Sequence, residues 1–229
     1  MTETLIKLDS VFKTYQMGDE TLNALNNVSL TVEKGEYTAI LGPSGSGKST
    51  LMNILGCLDV PSKGSYELDG QEVSRLSRNE LAQIRNKKIG FVFQSFNLLD
   101  FSTALENVEL PLIYRGTSAS ERARLASEML EKVGLSDRMN HKPQEMSGGQ
   151  RQRVAVARAL VTNPDVVLAD EPTGNLDSKS SEAVVKLFQD MSSRGKTILI
   201  VTHDKSVADQ MNRTINIVDG QITQQDTVV

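Results

Sequence analysis

A run of glycine, serine and lysine residues near position 45 has the composition and spacing of a loop that binds phosphate. It fits the pattern G-x-x-x-x-G-K-[ST] and lies between a predicted strand at residues 37–41 and a predicted helix at residues 48–55. That context separates such a loop from an ordinary glycine turn. We therefore predict a nucleotide-binding loop made of Gly42, Pro43, Ser44, Gly45, Ser46, Gly47, Lys48, Ser49 and Thr50.

The residue types in this loop have separate chemical roles. Gly42, Gly45 and Gly47 allow backbone conformations closed to other residues, so that successive N–H groups can converge on phosphate oxygens. Lys48 would bring a full positive charge to the β- and γ-phosphates, and the helix that starts there adds the positive end of its dipole. The Ser49 hydroxyl would bind Mg²⁺. The loop therefore predicts a nucleoside triphosphate with Mg²⁺ as its ligand.

Two adjacent carboxylates, Asp170 and Glu171, close an all-apolar strand predicted at residues 166–169. They should emerge at the carboxyl edge of a parallel sheet, where ligands of such folds bind. Acidic pairs also end strands merely as solubilising groups, but a phosphate loop in the same chain favours chemistry. Asp170 could hold Mg²⁺ through water, and Glu171 could orient and polarise the attacking water.

Gln94 and His203 also follow predicted buried strands, at residues 89–93 and 197–202. The Gln94 amide could contact Mg²⁺ or water, and His203 could donate a hydrogen bond to a terminal phosphate. Taken alone, Gln94 could be an ordinary surface residue, and His203 could have a purely structural role. Their common placement at strand ends makes both candidates for the same site.

A second serine and glycine turn stands at the start of a predicted helix and comprises Ser147, Gly148, Gly149 and Gln150. A helix beginning of this kind can bind an anion, or it can be a glycine-rich N-cap and nothing more. Because no lysine and serine pair follows it, we expect it to serve the phosphates held by the first loop, from their far side. The spacing leaves open whether it does so within one chain or between two chains.

Strands and helices alternate along most of the sequence. Further strands are predicted at residues 4–8, 25–32 and 65–68, and further helices at residues 121–133, 154–161 and 183–191. This alternation predicts an α/β fold of the P-loop NTPase type, with a mostly parallel sheet, an added antiparallel β subdomain and a helical subdomain. We expect one domain over residues 1–229, with the helical subdomain at about residues 95–160. Ser118 and Glu121 are predicted to form a capping box for the helix at residues 121–133.

Charge and hydropathy limit the possible partners. Lys and Arg total 25 against 29 Asp and Glu, a net charge of -4, which argues against nucleic-acid binding. No apolar run approaches the roughly 20 residues that cross a bilayer, and the start of the chain lacks the features of a secretory signal. We therefore expect a cytoplasmic protein. The lone cysteine, Cys57, is expected to be a small buried residue without a redox role.

Together these motifs resemble the ATP-binding subunits of ABC transporters, over essentially the whole chain. The resemblance identifies residues 42–49 as the phosphate loop and residues 147–150 as the family signature. It implies that ATP and Mg²⁺ are the cofactors and that the protein is an ATPase. In the family's terms, the remaining site residues are Gln94 of the Q-loop, Asp170 for Mg²⁺, Glu171 and His203 for catalysis with Lys48, and Asp177 of the D-loop.

The resemblance also covers less specific positions. Tyr15 falls where the family places an aromatic ring against adenine, and Met146 stands where the commonest signature carries Leu. A substitution of similar volume at position 146 should be mild. The apolar residues at 95–110 lie where the family docks its permease, although they could equally pack a helical subdomain.

In the family, two such domains meet head to tail and trap two ATP molecules, each between one phosphate loop and the other chain's signature. The resemblance therefore implies an ATP-dependent homodimer, a separate permease subunit, and membrane contact only through that permease, at the inner face of the cell membrane. The amino-acid sequences of several segments are similar to those of the branch that contains macrolide and peptide exporters and lipoprotein-release ATPases. Export, or the handling of such cargo, is therefore expected.

A soluble ATPase of the same fold that acts on DNA or ribosomes is the alternative. Repair members of that kind carry a long coiled coil or a zinc insertion between the phosphate loop and the signature, and the ribosomal class carries two ATPase domains per chain. This sequence has neither feature, and no Asn-Lys-x-Asp motif for guanine appears in it. The transporter interpretation is therefore preferred.

Overall fold

The computed structural model describes residues 3–18 and 20–227, which form two compact units, one of residues up to 85 and from 195 onward, the other of residues 86–194. The strands are β1 (Thr4–Met17), β2 (Glu20–Glu33), β3 (Tyr37–Leu41), β4 (Lys63–Leu68), β5 (Gln71–Glu72), β6 (Ile89–Phe93), β7 (Val166–Asp170), β8 (Thr197–Val201), β9 (Arg213–Val218) and β10 (Gln221–Thr227). The helices are α1 (Lys48–Leu55), α2 (Arg78–Lys88), α3 (Ala104–Tyr114), α4 (Ala119–Lys132), α5 (Gly148–Leu160), α6 (Ser178–Ser192) and α7 (Lys205–Ala208).

The first unit contains two sheets. An antiparallel sheet has the strand order β2-β1-β4-β5 and is built on the long hairpin of β1 and β2. In the second sheet, β3 pairs in parallel with β8 on one side and with β9 on the other, while β10 adds an antiparallel edge to β9. Every residue of β8 is buried, as expected for a strand covered on both faces. This unit therefore supplies the antiparallel part that the sequence predicts.

The second unit pairs β6 in parallel with β7 and adds a cluster of helices. Helices α3, α4 and α5 pack against one another, and α5 also packs against β6 and α6. Their shared core contains Val108 of α3, Leu130 of α4 and Val154 of α5, together with Met146, which is buried as an apolar residue should be. The unit thus joins strands of the parallel type to the predicted helical subdomain.

Several predicted elements are confirmed at both ends. The strands at residues 37–41 and 89–93 and the helix at 48–55 coincide with β3, β6 and α1. The predicted strand at 65–68 is β4, and its partners are β1 and β5. The sequence pattern did not reveal α2, α3, α7, β5, β9 and β10. Helix α3 was hidden by Pro111 in its interior, since proline normally interrupts helices.

The capping box predicted at Ser118 is wrong. Ser118 is the N-cap residue of α4, but its side chain makes no capping hydrogen bond. The Glu121 carboxylate instead accepts two hydrogen bonds from Arg124, of 2.9 and 2.6 Å, because an oppositely charged side chain at i+3 competes for it. Capping boxes do form at the starts of two other helices, at Thr103 for α3 and at Ser147 for α5.

Candidate nucleotide-binding and catalytic site

The phosphate loop lies between β3 and α1, as its sequence context predicts. Gly45 and Gly47 adopt positive φ angles of +78° and +101°, a region that side chains strongly disfavour. A Cβ at Gly47 would stand 2.5 Å from the carbonyl oxygen of Ala24, and one at Gly42 would collide with the carbonyl oxygen of Ile217. The loop therefore keeps its shape only with glycine at these positions.

Two polar side chains of the loop are buried. The Lys48 ammonium donates to the carbonyl oxygens of Gly42 and Pro43, at 2.8 and 2.7 Å, and the residue is only 9 % exposed. The Ser46 hydroxyl oxygen is buried and has no hydrogen-bond partner among the described residues. Since buried polar atoms are normally satisfied, this orphaned hydroxyl and the ammonium folded over the loop fit a phosphate group as the missing partner.

The beginning of α1 strengthens this fit. Gly47 is the N-cap residue, and no described side chain caps the helix. The first N–H groups of a helix have no partner within it and attract anions. A backbone contact also fixes the loop, because Gly220 donates its N–H to the carbonyl oxygen of Ser46 at 2.9 Å. A rigid loop with open N–H groups is what a nucleotide phosphate requires.

His203 lies at the same sheet edge as the phosphate loop. Ile40 of β3 pairs in parallel with Val201 of β8. Gly42 comes two residues after Ile40, and His203 comes two residues after Val201. His203 is exposed, and Thr202 before it donates its N–H to the carbonyl oxygen of Ile40 at 3.1 Å. The first unit therefore brings the phosphate loop and the predicted histidine to one edge.

Tyr15 lies beside the first turn of α1, although it belongs to β1. Its hydroxyl donates to Asp59 Oδ2 at 3.0 Å, and Thr50 of that turn is close enough to affect the pKa of the hydroxyl. Partial burial, followed by the hydrogen bond to Asp59 and the charge of that carboxylate, raises the pKa of Tyr15. The ring is therefore neutral and placed next to the loop that would hold the phosphates.

In the second unit, Gln94 and the carboxylate pair meet at paired strand ends. Phe93 of β6 is in register with Asp170 of β7, so Gln94 and Glu171 each lie one residue beyond. Asn175 Nδ2 donates to the backbone oxygen of Gln94 at 3.1 Å. A Cβ at Gly174 would approach Gln94 Nε2 to 2.6 Å. The loop after β7 therefore holds the Gln94 residue closely.

Glu171 has an unusual backbone conformation. Its φ angle is +46°, in the left-handed region that costs a residue with a side chain about 1 kcal/mol. Its carbonyl oxygen accepts a hydrogen bond of 3.1 Å from the N–H of Gly174. Strain of this kind clusters at functional sites, and here it turns the chain sharply just after Asp170.

The second serine and glycine turn, at residues 147–150, is a helix N-cap and makes a tight contact with α6. Ser147 Oγ accepts from the N–H of Gln150 at 3.3 Å, and Gln150 Oε1 accepts from the N–H of Ser147 at 2.9 Å. A Cβ at Gly149 would stand 2.5 Å from Ser180 Oγ. Asp177 caps α6 by accepting from the N–H and the hydroxyl of Ser180, at 3.0 and 2.7 Å.

The electrostatics of this contact follow from its hydrogen bonds. Those from the Ser180 side chain and backbone lower the pKa of Asp177, so this carboxylate is ionised at neutral pH. Leu176 also contacts the signature turn, since its Cδ2 atom is 3.4 Å from where a Cβ of Gly148 would be. The turn at residues 147–150 therefore packs directly against residues 176–180.

The described residues contain no group of three or more His, Cys, Asp or Glu side chains placed to hold a metal ion. The predicted Mg²⁺ ligands are of a different composition, namely the Ser49 hydroxyl, the Gln94 amide oxygen and the Asp170 carboxylate. Hard oxygen donors of this kind, completed by water and phosphate, suit Mg²⁺. Gln94 and Asp170 lie at neighbouring strand ends, which fits such a shared role.

The apolar segment at residues 95–110 divides its side chains between core and surface. Ala104 and Val108 belong to the helical core, whereas Phe101 is 75 % exposed. Beyond the segment, Tyr114 at the end of α3 is 78 % exposed. The packing interpretation is therefore confirmed for Ala104 and Val108, while permease docking by the exposed residues of the segment stays a prediction.

Sequence reasoning missed three residues that shape the site, Asp59, Arg158 and Ser180. Arg158 of α5 donates to the backbone oxygens of Phe96 and Asn97, at 2.9 and 2.6 Å, just after Gln94. Only Ser180 had a local signal, the Asp-x-x-Ser spacing of an N-cap followed by its partner. The contacts of the other two join positions far apart in the sequence.

No described helix is long and apolar enough to cross a membrane. Residues 25–174 match the family model described as ABC transporter. The chain is similar to an uncharacterised ABC transporter ATP-binding protein of Thermotoga maritima, with 55 % identity over 218 residues that cover 95 % of this chain and 93 % of that protein. It is 54 % identical to the ATP-binding protein YknY of Bacillus subtilis, over 95 % of each chain.

The chain is also similar to part of a longer protein and to a solved structure. The macrolide export ATP-binding/permease protein MacB of a Shewanella strain is 52 % identical over 97 % of this chain, which spans only 34 % of that protein. The ATP-binding cassette MJ0796 was solved as a dimer in a post-hydrolysis state with ADP and Pi. It superimposes with a TM-score of 0.91 at 48 % identity, over 98 % of this chain and 99 % of that chain.

Proposed function

Because this chain belongs to the ABC transporter family, as a dimerising ATPase, we propose that it drives a membrane permease carried on a separate polypeptide. Relatives that it matches over nearly their whole length are described as ATP-binding proteins, whereas MacB joins an ATP-binding part to a permease. Both arrangements support a permease partner. The likeness to MacB, a macrolide export protein, supports export, and we propose macrolides, peptides or lipoproteins as the class of cargo.

The observation that carries the proposal is the buried, unpartnered hydroxyl of Ser46 inside a loop that glycines hold open. We assign the triphosphate of ATP to this loop. Lys48 would leave the carbonyl oxygens of Gly42 and Pro43 and bind the β- and γ-phosphates instead. The residues assigned to the nucleotide are Tyr15, Gly42, Pro43, Ser44, Gly45, Ser46, Gly47, Lys48, Ser49 and Thr50.

We assign Mg²⁺ to the side chains of Ser49, Gln94 and Asp170. When bound, the ion would neutralise charge on the phosphate oxygens during hydrolysis. Asp170 closes β7, and Gln94 is held at the neighbouring strand end by Asn175. These two residues would therefore offer their oxygens from fixed positions.

Hydrolysis needs a water molecule aligned with the γ-phosphate and a group that accepts its proton. Glu171 is the candidate for both tasks, because it directly follows Asp170 and its backbone is locked by the turn to Gly174. The water oxygen attacks the γ-phosphorus, the bond to the β-phosphate oxygen breaks, and ADP and inorganic phosphate result. His203 would donate a hydrogen bond to the γ-phosphate.

The serine and glycine turn at residues 147–150 would complete the site from the other chain of a dimer. The N–H groups at the start of α5 would meet the γ-phosphate held by the partner's phosphate loop. Asp177 would stabilise this arrangement, because it caps the helix against which Gly149 packs. The residues assigned to this surface are Ser147, Gly148, Gly149, Gln150 and Asp177.

The proposed location is the cytoplasmic face of the cell membrane, with membrane contact only through the permease. The exposed ring of Phe101 is a candidate contact for that partner, because covering an exposed apolar ring removes its surface from water. The net charge of -4 supports the absence of a nucleic-acid partner.

The substitution Glu171→Gln tests the ATPase assignment. The variant should bind ATP with unchanged affinity, lose nearly all hydrolysis, and accumulate as an ATP-bound dimer in size-exclusion chromatography with light scattering. The matched control is Glu182→Gln, which changes an exposed glutamate on α6 and should hydrolyse ATP at the normal rate. Normal hydrolysis by the Glu171 variant would contradict the assignment.

Purification in detergent from membranes of cells that express the full chain tests the partner. A reproducible integral membrane protein that stays bound supports the permease proposal. Tight association with ribosomes or DNA at moderate salt would instead support the soluble alternative. Phe101→Ser should weaken the membrane association and leave ATP hydrolysis unchanged. The control Leu22→Ser, at another exposed position, should change neither.

A further inference from the structure

The carboxylate of Asp59 binds two side chains of β1, one through each oxygen. Lys13 Nζ donates to Asp59 Oδ1 at 2.6 Å, and the Tyr15 hydroxyl donates to Asp59 Oδ2 at 3.0 Å. Lys13 Nζ also lies 5.0 Å from the centroid of the Tyr15 ring and donates to the carbonyl oxygen of Val60 at 3.0 Å. The three side chains therefore form a single closed cluster.

This cluster connects the Tyr15 ring to the phosphate-loop helix. Asp59 lies on the segment that follows α1, and its N–H donates to the carbonyl oxygen of Asn53 within that helix at 3.2 Å. Thr50, in the first turn of α1, also lies close enough to the Tyr15 hydroxyl to affect its pKa. Through Asp59, Tyr15 is thus joined to the end of the helix that begins with Lys48.

The protonation states suit these contacts. Partial burial alone would raise the pKa of Asp59, but the hydrogen bond from Lys13, the N–H of Val60 and the Tyr15 hydroxyl together lower it. At neutral pH, Asp59 is therefore an anionic acceptor and Tyr15 a neutral donor. The ammonium of Lys13 over one face of the ring is a favourable cation–π arrangement.

We propose that Asp59 is a positioning residue for nucleotide binding, which fixes the Tyr15 ring relative to α1 with Lys13 on one ring face and leaves the other face for the nucleoside base. This inference rests on the proposed function, in which the phosphate loop holds ATP and Tyr15 meets adenine. Asp59 itself does not contact the nucleotide. Its effect depends on the base and is independent of the phosphates.

The test compares a ligand that has a base with one that has none. Isothermal titration calorimetry of the full chain with Mg²⁺ gives the Kd of the non-hydrolysable analogue AMP-PNP and of inorganic tripolyphosphate. Asp59→Ala should weaken AMP-PNP binding about tenfold, which equals about 1.4 kcal/mol, and should leave tripolyphosphate binding unchanged. A structural role would weaken both ligands equally and would overturn the inference.

A matched control and a double mutant sharpen the result. Asp69 is ion-paired with Lys34 at 2.9 Å, and its side chain is 27 % exposed against 30 % for Asp59. Asp69→Ala should change neither Kd. Tyr15→Phe removes the hydroxyl that Asp59 accepts from, so Asp59→Ala should cost less in that background than in the wild type. Equal costs in the two backgrounds would contradict an action through Tyr15.

The wild-type protein separates failure of this inference from failure of the proposed function. If it binds AMP-PNP no more tightly than tripolyphosphate, Tyr15 is not a base-binding residue, and the assignment on which the inference rests is wrong. If it prefers AMP-PNP and Asp59→Ala keeps that preference in full, the Tyr15 assignment stands and the role of Asp59 is refuted.

Discussion

Asn175 Nδ2 donates a hydrogen bond of 3.1 Å to the backbone oxygen of Gln94, and this contact joins the loop after β7 to the end of β6. The neighbouring Gly174 has no side chain, and a Cβ there would press on Gln94 Nε2 at 2.6 Å. The backbone of Gln94 is thus bound by Asn175, and its side-chain amide lies against Gly174, four and three positions beyond Glu171. We therefore expect a displacement of the loop that contains Glu171 to move Gln94 as well.

Asn175→Ala should slow ATP hydrolysis more than it weakens ATP binding. Loss of the hydrogen bond leaves Gln94 less well placed, which at about 1 kcal/mol corresponds to roughly a fivefold lower kcat. KM for ATP should change by less than about twofold, because the phosphate loop is untouched. Steady-state ATPase assays over a range of ATP concentrations at saturating Mg²⁺ measure both constants.

Asn140→Ala is the control for this change, because Asn140 is an exposed asparagine in the same unit. Its kcat and KM should match those of the wild type. If the Asn175 variant also matches the wild type, the hydrogen bond to Gln94 does not position a functional group.

Gly149→Ala should destabilise the start of α5. The new Cβ would stand 2.5 Å from Ser180 Oγ, and that hydroxyl cannot rotate away without losing its 2.7 Å hydrogen bond to Asp177 Oδ2. Overpacking of this kind costs roughly 1–3 kcal/mol. Urea denaturation should show a lower midpoint, and ATP-dependent dimerisation should weaken with it.

Ser180→Gly provides the matching background for this test. It removes the Oγ and Cβ atoms that lie 2.5 and 2.7 Å from the new methyl group, while the Cα stays at 3.7 Å. The single variant is expected to lose some stability, because it gives up the bond to Asp177. Adding Gly149→Ala to it should cost almost nothing further, and an undiminished cost would show that the strain arises elsewhere.

The sequence predicted the parts of the fold and site that depend on local pattern. The phosphate loop needs glycine at fixed positions, and the buried strand β7 needs an uninterrupted apolar run, so both are visible without tertiary information. Candidate residues such as Asp170 and His203 were found because they follow such strands. The strand registers then bring Gln94 beside Glu171, and His203 beside the phosphate loop, each within its own unit.

The rest depends on competition between side chains and on distant contacts. Glu121 satisfied the spacing of a capping box, yet Arg124 took its carboxylate. Asp59 meets Tyr15 across 44 positions, and no local pattern marks such a pair. Helix α3 contains Pro111 in its interior, and the carbonyl oxygen of Pro111 accepts from Asn86 Nδ2 at 2.8 Å, a contact across 25 positions that no local pattern marks.

Thr103→Ala and Ser118→Ala should differ in their effects, although both residues are N-caps. Thr103 Oγ1 accepts from the N–H of Glu106 at 3.2 Å, and Glu106 Oε2 accepts from the N–H of Thr103 at 2.7 Å. Loss of such a cap costs about 1 kcal/mol. The Ser118 side chain makes no capping bond, so its loss should cost much less. Equal losses in chemical denaturation would contradict the hydrogen bonding described for α4.

The Cys57 thiol should be unreactive in the folded protein. It is 1 % exposed, and burial raises its pKa from 9.0 to about 11, against a smaller opposing effect of Arg85. Since the thiolate is the reactive form, only about one thiol in a thousand would be ionised at pH 8. Ellman's reagent should therefore label the native protein very slowly and the protein in denaturant at once. Rapid labelling of the native state would show that the site after α1 opens readily.

The same shift predicts that folding stability falls as the solution becomes alkaline. The unfolded chain releases the Cys57 proton near pH 9, whereas the folded chain keeps it until about pH 11. Between these values the folded state binds more protons, so the free energy of unfolding decreases with rising pH. Cys57→Ala should lower the stability at every pH through the lost packing, but it should flatten the slope between about pH 8.5 and 9.5. Tyr15, Tyr37 and Tyr66 also have pKa values raised by burial, and they add to the alkaline loss as unfolded tyrosine approaches its ordinary pKa of about 10. The difference in slope between the variant and the wild type therefore isolates the contribution of Cys57. An unchanged slope in the alanine variant would show that another group causes the alkaline loss.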